Sequence, residues 1–152
     1  MFNFFWKRPK AELFYKTDVH CHILPGVDHG AKSIDHSIEL IDAQMEMGIN
    51  RMIFTPHITK STFENTPNTI KSAYNVFCDA TKETFHDLKH TASAEYRLDE
   101  LSLNQFANDN FIPMPGNHIL IENVFPVCVS NEDVGKKRHT FGTTKFYQLG
   151  IK

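Results

Sequence analysis

At 152 residues the chain is long enough for one domain with a real hydrophobic core and too short to expect two. A 41% apolar and 22% charged composition is that of an ordinary globular protein, and a formal charge of -2 with no basic stripe argues against nucleic-acid binding. Nine histidines are the outlier. Histidine is the commonest metal ligand and titrates near neutrality, so where the nine fall decides the reading.

The opening MFNFFWKRPK is apolar and then basic. It holds too few apolar residues to span a membrane and lacks the basic-first order of a signal peptide, so residues 1–13 read as an N-terminal arm with no transmembrane segment. Lys16 to Cys21 (KTDVHC) reads as a strand running into the turn-rich LPGVDHG. Ser33 then offers a helix N-cap, Ile34, Ile38, Ile41 and Met45 recur at helical spacing, and Gly48 supplies a stop. RMIFT (Arg51 to Thr55) is a buried strand that Pro56 terminates. Pro67 to Asp87 opens with a first-turn proline and sets Ile70, Tyr74, Phe77 and Thr81 on one face, which predicts a second long helix. HTASAEY (His90 to Tyr96) is a third strand, Asp99 to Asn108 a short helix, and HILIE (His118 to Glu122) a fourth strand introduced by the turn signal PMPGN. Such alternation is that of a parallel α/β sheet or barrel. Residues 126–152 carry no amphipathic helix and only brief apolar runs; a weak hairpin or a loose tail is expected there.

The ligand-type residues cluster at strand ends. His20 and His22 are two apart, so on a strand both project to one face, and Asp28 follows in the adjoining loop. His57 comes directly after the second strand, Glu95 closes the third and Glu122 the fourth. In parallel α/β architectures functional groups gather where strands end. Six imidazole and carboxylate groups would thus share one rim, and cations are the simplest way to stabilise three carboxylates there. Each piece has a bland reading: an isolated His-x-His pair packs or faces solvent, and a lone strand-end glutamate is usually solvated. The joint placement favours a metal site. Imidazole and carboxylate without thiolate suit Mn, Fe, Zn or Mg. Two or more such ions about 3.5–4 Å apart can clamp a phosphate and activate water, so phosphate-ester hydrolysis is the expected chemistry. His36, His86, His90, His118 and His139 read as surface or packing residues, and the role of His29, beside Asp28, stays open.

Cys21, Cys78 and Cys128 form no Cys-x-x-Cys pair, which fits a reducing cytoplasm better than a zinc or disulfide framework. A cysteine-based phosphatase is excluded, because it needs an arginine six residues after its nucleophile. Val27, Thr84 and Val134 occupy those positions.

At DVHCHILPGVDHGAKSIDHSIEL the chain resembles the PHP (polymerase and histidinol phosphatase) superfamily, specifically its capsule-associated manganese-dependent protein-tyrosine phosphatases. Asp18, His20, His22, Pro25, Asp28 and Gly30 match the opening motif, with His29 where that family has a second aspartate; GINRMIFTPH, SAEYRLDE and HILIENVF match later blocks. The resemblance runs from Phe14 to Phe125, so residues 14–125 form the expected partial phosphatase domain and 126–152 a non-matching tail. It implies an incomplete distorted (β/α)₇ TIM-like barrel, its first four strands plus that tail. It also implies two or three divalent ions, manganese foremost, and a partner: a phosphorylated bacterial tyrosine kinase of polysaccharide export. By position, His20 and His22 would bind the first ion, Glu95 would bridge, Glu122 would hold another, and Asp28 with His57 would serve the third. Glu95 and Arg97 are the catalytic candidates, Arg97 reading equally well as a substrate contact or a surface residue.

The family's later His-Pro-Glu-Arg and Asp-x-His blocks have no counterpart after Phe125, which reads as a truncated or frameshifted product. A (β/α) barrel needs about 200–250 residues to close. His118 to Glu122 is therefore expected as an open edge unless the tail or a second copy of the chain covers it. Two rival functions remain: a PHP phosphoesterase acting on small molecules, and a non-catalytic remnant that binds metal or a partner.

Overall fold

A computed structural model of the chain describes residues 13–122 and the strand Lys145–Leu149. The N-terminal arm expected over 1–13 and most of the expected tail lie outside the described residues. Chain order is β1 (Thr17–Cys21), α1 (Ile34–Glu46), β2 (Arg51–Phe54), β3 (His57–Ile58), α2 (Pro67–Thr81), β4 (Lys89–Ala92), β5 (Glu95–Arg97), α3 (Glu100–Ala107), β6 (His118–Glu122) and β7 (Lys145–Leu149). Two sheets result, β1-β2-β4 and β3-β5-β6-β7, and every pairing is parallel. Parallel neighbours need long crossovers, and among the described residues α1, α2 and α3 supply those as far as β6.

The expected third strand, His90 to Tyr96, is two strands. Pro56 is the physical reason: it has no N–H to give to the neighbouring strand, so the ladder is interrupted beside it. Ser93 N–H still donates to the Phe54 carbonyl (2.8 Å) and Glu95 N–H to the Pro56 carbonyl (3.0 Å), so the two sheets meet along the same pair of chain segments. Beyond the break, the two-residue strand His57–Ile58 pairs with β5, so His57, expected just past the end of a strand, starts one. The order is therefore a single winding: β1, then β2 with β3, then β4 with β5, then β6, then β7.

Local chemistry explains the helices. Ser33 caps α1 through a bond from His36 N–H, and the buried Ser37 hydroxyl donates to the Ile23 carbonyl (2.6 Å), tying the loop after β1 to that helix. Thr66 and Thr69 cap α2 reciprocally, with Pro67 at its first turn. This helix stops at Thr81, short of the expected Asp87. The Thr81 hydroxyl bonds back to the Phe77 carbonyl, and the turn that follows lets Phe85 and Leu88 bury. Asp99 and Asn108 bound α3 as expected.

The core runs between helices and sheet through Ile41, Phe54, Ile58, Ile70, Phe77, Tyr96 and Ile119, all fully buried. The described part of the tail is a strand parallel to β6, with His118 opposite Lys145 and Glu122 opposite Leu149. The chain itself thus covers the edge expected to lie open.

Candidate metal centre

The C-terminal ends of β1 and β6 and the starts of β3 and β5 lie along one rim; Glu95, expected to close the third strand, opens β5 because that strand is split in two. His20 and His22 flank the end of β1, His57 opens β3, Glu95 opens β5 and Glu122 closes β6. Their side chains meet at one atom. Glu95 Oε2 lies 3.0 Å from His20 Nε2, 3.1 Å from His57 Nδ1 and 3.4 Å from His22 Nε2. Glu122 Oε2 stands 3.9 Å from the same His57 nitrogen.

Glu95 is only 3% exposed, yet its Oε2 has no hydrogen-bond partner, and neither does His57 Nδ1. The imidazole nitrogens are near the carboxylate oxygen without pointing hydrogen bonds at it. Leaving a buried charged oxygen unsatisfied is costly. Burial pushes the Glu95 pKa up, but the surrounding histidines outweigh it and hold the carboxyl at about 2, so it stays ionised. At His57 burial prevails over the carboxylates and holds the imidazole below its ordinary value. A buried carboxylate oxygen and imidazole nitrogens facing the same space fit a divalent cation.

Asp28 stands behind these groups. Its side chain is fully buried; Oδ2 lies 2.7 Å from His22 Nδ1 and accepts from His57 N–H (3.0 Å), while Oδ1 accepts from Gly30 N–H (2.8 Å). With Nδ1 engaged, His22 presents Nε2 to the centre, the carboxylate–histidine arrangement that orients metal ligands. Burial lowers the His22 pKa, yet Asp28 and Glu95 together raise it to about 9. A proton therefore sits where a cation would replace it. In this geometry Asp28 orients His22 and His57, while the resemblance implied a direct ligand.

Among the described residues three donor groups have their ligand atoms within 4.8 Å of one another: His20–His22–Glu95, His57–Glu95–Glu122 and His22–His29–His57. The first two share Glu95. His29, left open by the sequence, brings its ring centroid within 5.1 Å of His22 and 4.9 Å of His57. Arg97 is half-buried, two residues beyond Glu95 on β5 and in register with Glu122; among the described residues it makes no ion pair. The structure therefore gathers His20, His22, His57, Glu95 and Glu122 into one cluster and leaves Arg97 at its border.

Several supporting residues carried no sequence signal. Asn65 donates from Nδ2 to the carbonyls of Val27 and His57 (2.8 Å each), clamping the Asp28 loop to the β3 segment, and Gln105 of α3 holds the Asn65 carbonyl at 3.0 Å. Phe63 stacks on His57 with centroids 5.7 Å apart and an interplanar angle of 9°. At Gly30 a Cβ would lie 2.1 Å from the His22 carbonyl oxygen, so only glycine lets the loop close on that ligand. An asparagine in a polar loop resembles any other, and only the Gly30 motif position marked this layer.

The sequence profile of the family described as "Capsular polysaccharide synthesis, CpsB/CapC" matches residues 16–134, past the Phe125 where the sequence reading ended the resemblance. Tyrosine-protein phosphatase YwqE of Bacillus subtilis is 41% identical over 56 residues, which cover 37% of this chain and 22% of that protein. Tyrosine-protein phosphatase CpsB of Streptococcus agalactiae is 26% identical over 98 residues, covering 61% of this chain and 40% of that protein. The chain therefore spans well under half the length of these curated relatives. A solved chain described under "Crystal structures of YwqE from Bacillus subtilis and CpsB from Streptococcus pneumoniae, unique metal-dependent tyrosine phosphatases" superposes with a TM-score of 0.71 at 24% identity, over 87% of this chain and 54% of that one. At that identity the likeness speaks to the mixed α/β fold.

Proposed function

Since the chain belongs to the capsular polysaccharide synthesis CpsB/CapC family, we propose that its rim is a metal centre for hydrolysis of phosphotyrosine in proteins. The observation that carries this reading is the buried Glu95 Oε2, ringed by three histidines and hydrogen-bonded to none. His20, His22 and Glu95 would hold one ion and His57, Glu95 and Glu122 another, with Glu95 between them and Asp28 fixing the His22 ring. Divalent cations in such a cluster supply Lewis acidity toward phosphoryl oxygens and a water acidic enough to attack phosphorus near neutral pH. The residues' share is to fix that cluster at the open ends of the strands, where a phosphate can approach from solvent. Arg97 would add a cation for the phosphate from the border of the site.

The finer parts of the proposal are manganese as the ion, a phosphorylated tyrosine kinase of polysaccharide export as substrate, and a segment of a (β/α) barrel as the architecture. The singly wound, all-parallel strand order supports the last. A cytoplasmic setting accords with the free thiols of Cys21 and Cys78. Among the described residues no helix is long and apolar enough to cross a membrane.

The test is hydrolysis of a phosphotyrosyl peptide, compared with small sugar and amino-alcohol phosphates, with and without added Mn²⁺. Peptide turnover that requires metal and disappears in His20→Ala is expected. Turnover of small esters alone would reassign the substrate, and tight metal binding with no turnover of either would make the chain a binding remnant.

A further inference from the structure

Phe63 is an aromatic side chain that the hydrophobic core does not hold. It is half-buried, and among the described residues the apolar side chains packed on the core do not include it. Its ring lies instead against two imidazoles of the rim, parallel to His57 (centroids 5.7 Å apart, 9°) and 5.6 Å from the exposed His29 at 40°. The chain bends sharply to put it there. Thr59 and Phe63 exchange both backbone hydrogen bonds, at 2.9 and 3.0 Å. The loop between them turns at Ser61, whose φ of 64° lies in the left-handed region that serine rarely adopts. Three contacts pin this loop: Ser61 N–H donates to Glu64 Oε1 (2.9 Å), Lys60 N–H donates to Asp99 Oδ2 (2.8 Å), and the Lys60 ammonium pairs with Glu100 at the start of α3. We propose that Phe63 is the specificity-determining residue of the centre, an aromatic platform for the aryl group of a phosphate ester that favours aryl over alkyl esters. This proposal rests on the phosphoesterase reading and deepens it.

The geometry supplies the reason. His57, on which Phe63 stacks, shares a donor group with Glu95 and Glu122. In an aryl ester the ring is one oxygen away from phosphorus, so a phosphate seated beside His57 carries its ring close to Phe63. Aromatic pairs attract at centroid separations of about 4.5–7 Å, offset or edge-to-face. Phe63 is half-buried, so part of its ring stays open to such a partner. Seryl, threonyl and sugar phosphates present no aromatic ring and gain no such contact. The pinned loop adds to the effect, because a platform already fixed before the ligand arrives costs no ordering on binding. Strained backbone held in place by its surroundings is a mark of binding sites, and Ser61 carries that strain two residues from the ring.

Phe63 lies outside the core, so replacing it leaves the fold intact, and circular dichroism verifies this in each variant. The full chain is titrated by calorimetry with Mn²⁺ and then, with Mn²⁺ present, with phenylphosphonate and methylphosphonate. These two carry the same anionic head and are not hydrolysed. Wild type, Phe63→Ala and Phe63→Tyr are compared through the ratio of the two phosphonate affinities. Any loss of support to His57 weakens both phosphonates alike and cancels in that ratio. Wild type is expected to bind phenylphosphonate more tightly than methylphosphonate by about fivefold or more. Phe63→Ala should bring the ratio down to about one, and Phe63→Tyr, which keeps the ring, should retain the preference. A wild-type ratio near one, or an unchanged ratio in Phe63→Ala, overturns the role of Phe63 and leaves the centre standing, whether or not Mn²⁺ affinity moves. Binding of neither phosphonate to wild type overturns the phosphoesterase reading and this proposal with it.

Discussion

His57 and His90 sit in neighbouring sheets in similar aromatic surroundings, and they differ in how their nitrogens are satisfied. His90, on β4, stacks on Phe54 at 5.4 Å and 12°, much as His57 stacks on Phe63. The Tyr74 hydroxyl meets His90 Nδ1 at 3.0 Å, and burial alone lowers its pKa. No carboxylate is involved. His57 Nδ1 instead faces Glu95 and Glu122 at 3.1 and 3.9 Å with no hydrogen bond made. A buried histidine completed by a neutral hydroxyl is a structural part. One facing unsatisfied carboxylates waits for a cation. The division runs between faces of the molecule: the side of β2 and β4 around Phe54, Phe77 and His90 builds core, and the rim where the end of β1 meets β3, β5 and β6 carries the donors.

That division breaks most visibly in Glu95→Gln. Removing the shared anion should reduce metal affinity, and with it the proposed phosphoesterase activity, by more than the roughly 100-fold that loss of a mere supporting partner costs, while thermal unfolding of the metal-free protein moves little. A steep loss of metal-free stability would make Glu95 a structural residue. Phe77→Ala tests the opposite side. Phe77 packs edge-on to Phe54 and His90 at 5.2 and 5.5 Å, and its truncation should cost about 3–5 kcal/mol in urea denaturation. Metal bound per folded molecule should stay constant; a drop would mean that the two sides are coupled.

Gly30→Ala sharpens the boundary between the site and its support. The added methyl meets the His22 backbone, so metal affinity measured by calorimetry should fall by about 10–100-fold. Unchanged affinity would show that the loop yields without moving His22. The smallest effect belongs to Tyr74→Phe. Losing the hydroxyl's contacts to the His90 ring and carbonyl should cost about 1 kcal/mol of stability and leave metal affinity untouched.

Much of this was legible in the residues. Strand-end placement pointed to one rim, and His20, His22 and Glu122 do stand at C-terminal strand ends, whereas Glu95, expected to close a strand, opens β5 beside His57 at the start of β3. The interruption at Ser93 and Ala94 was harder to see. Pro56 lies far from them in sequence, and only the pairing partner reveals the missing donor. Asp28 read as a ligand because carboxylate type says nothing about which groups reach it first; His22 and two backbone N–H groups do. His29 was undecided for the same reason. The strand Lys145–Leu149 depends on a partner far back in the chain, a pairing that local pattern does not encode.

The most direct measurement is the anomalous difference map of a crystal of the chain soaked in Mn²⁺. Density beside Glu95 Oε2, within bonding reach of His20 and His22 or of His57 and Glu122, is the predicted result. A manganese-soaked crystal whose Glu95 oxygen is hydrogen-bonded to histidine or water, with ions only at surface carboxylates, would contradict it.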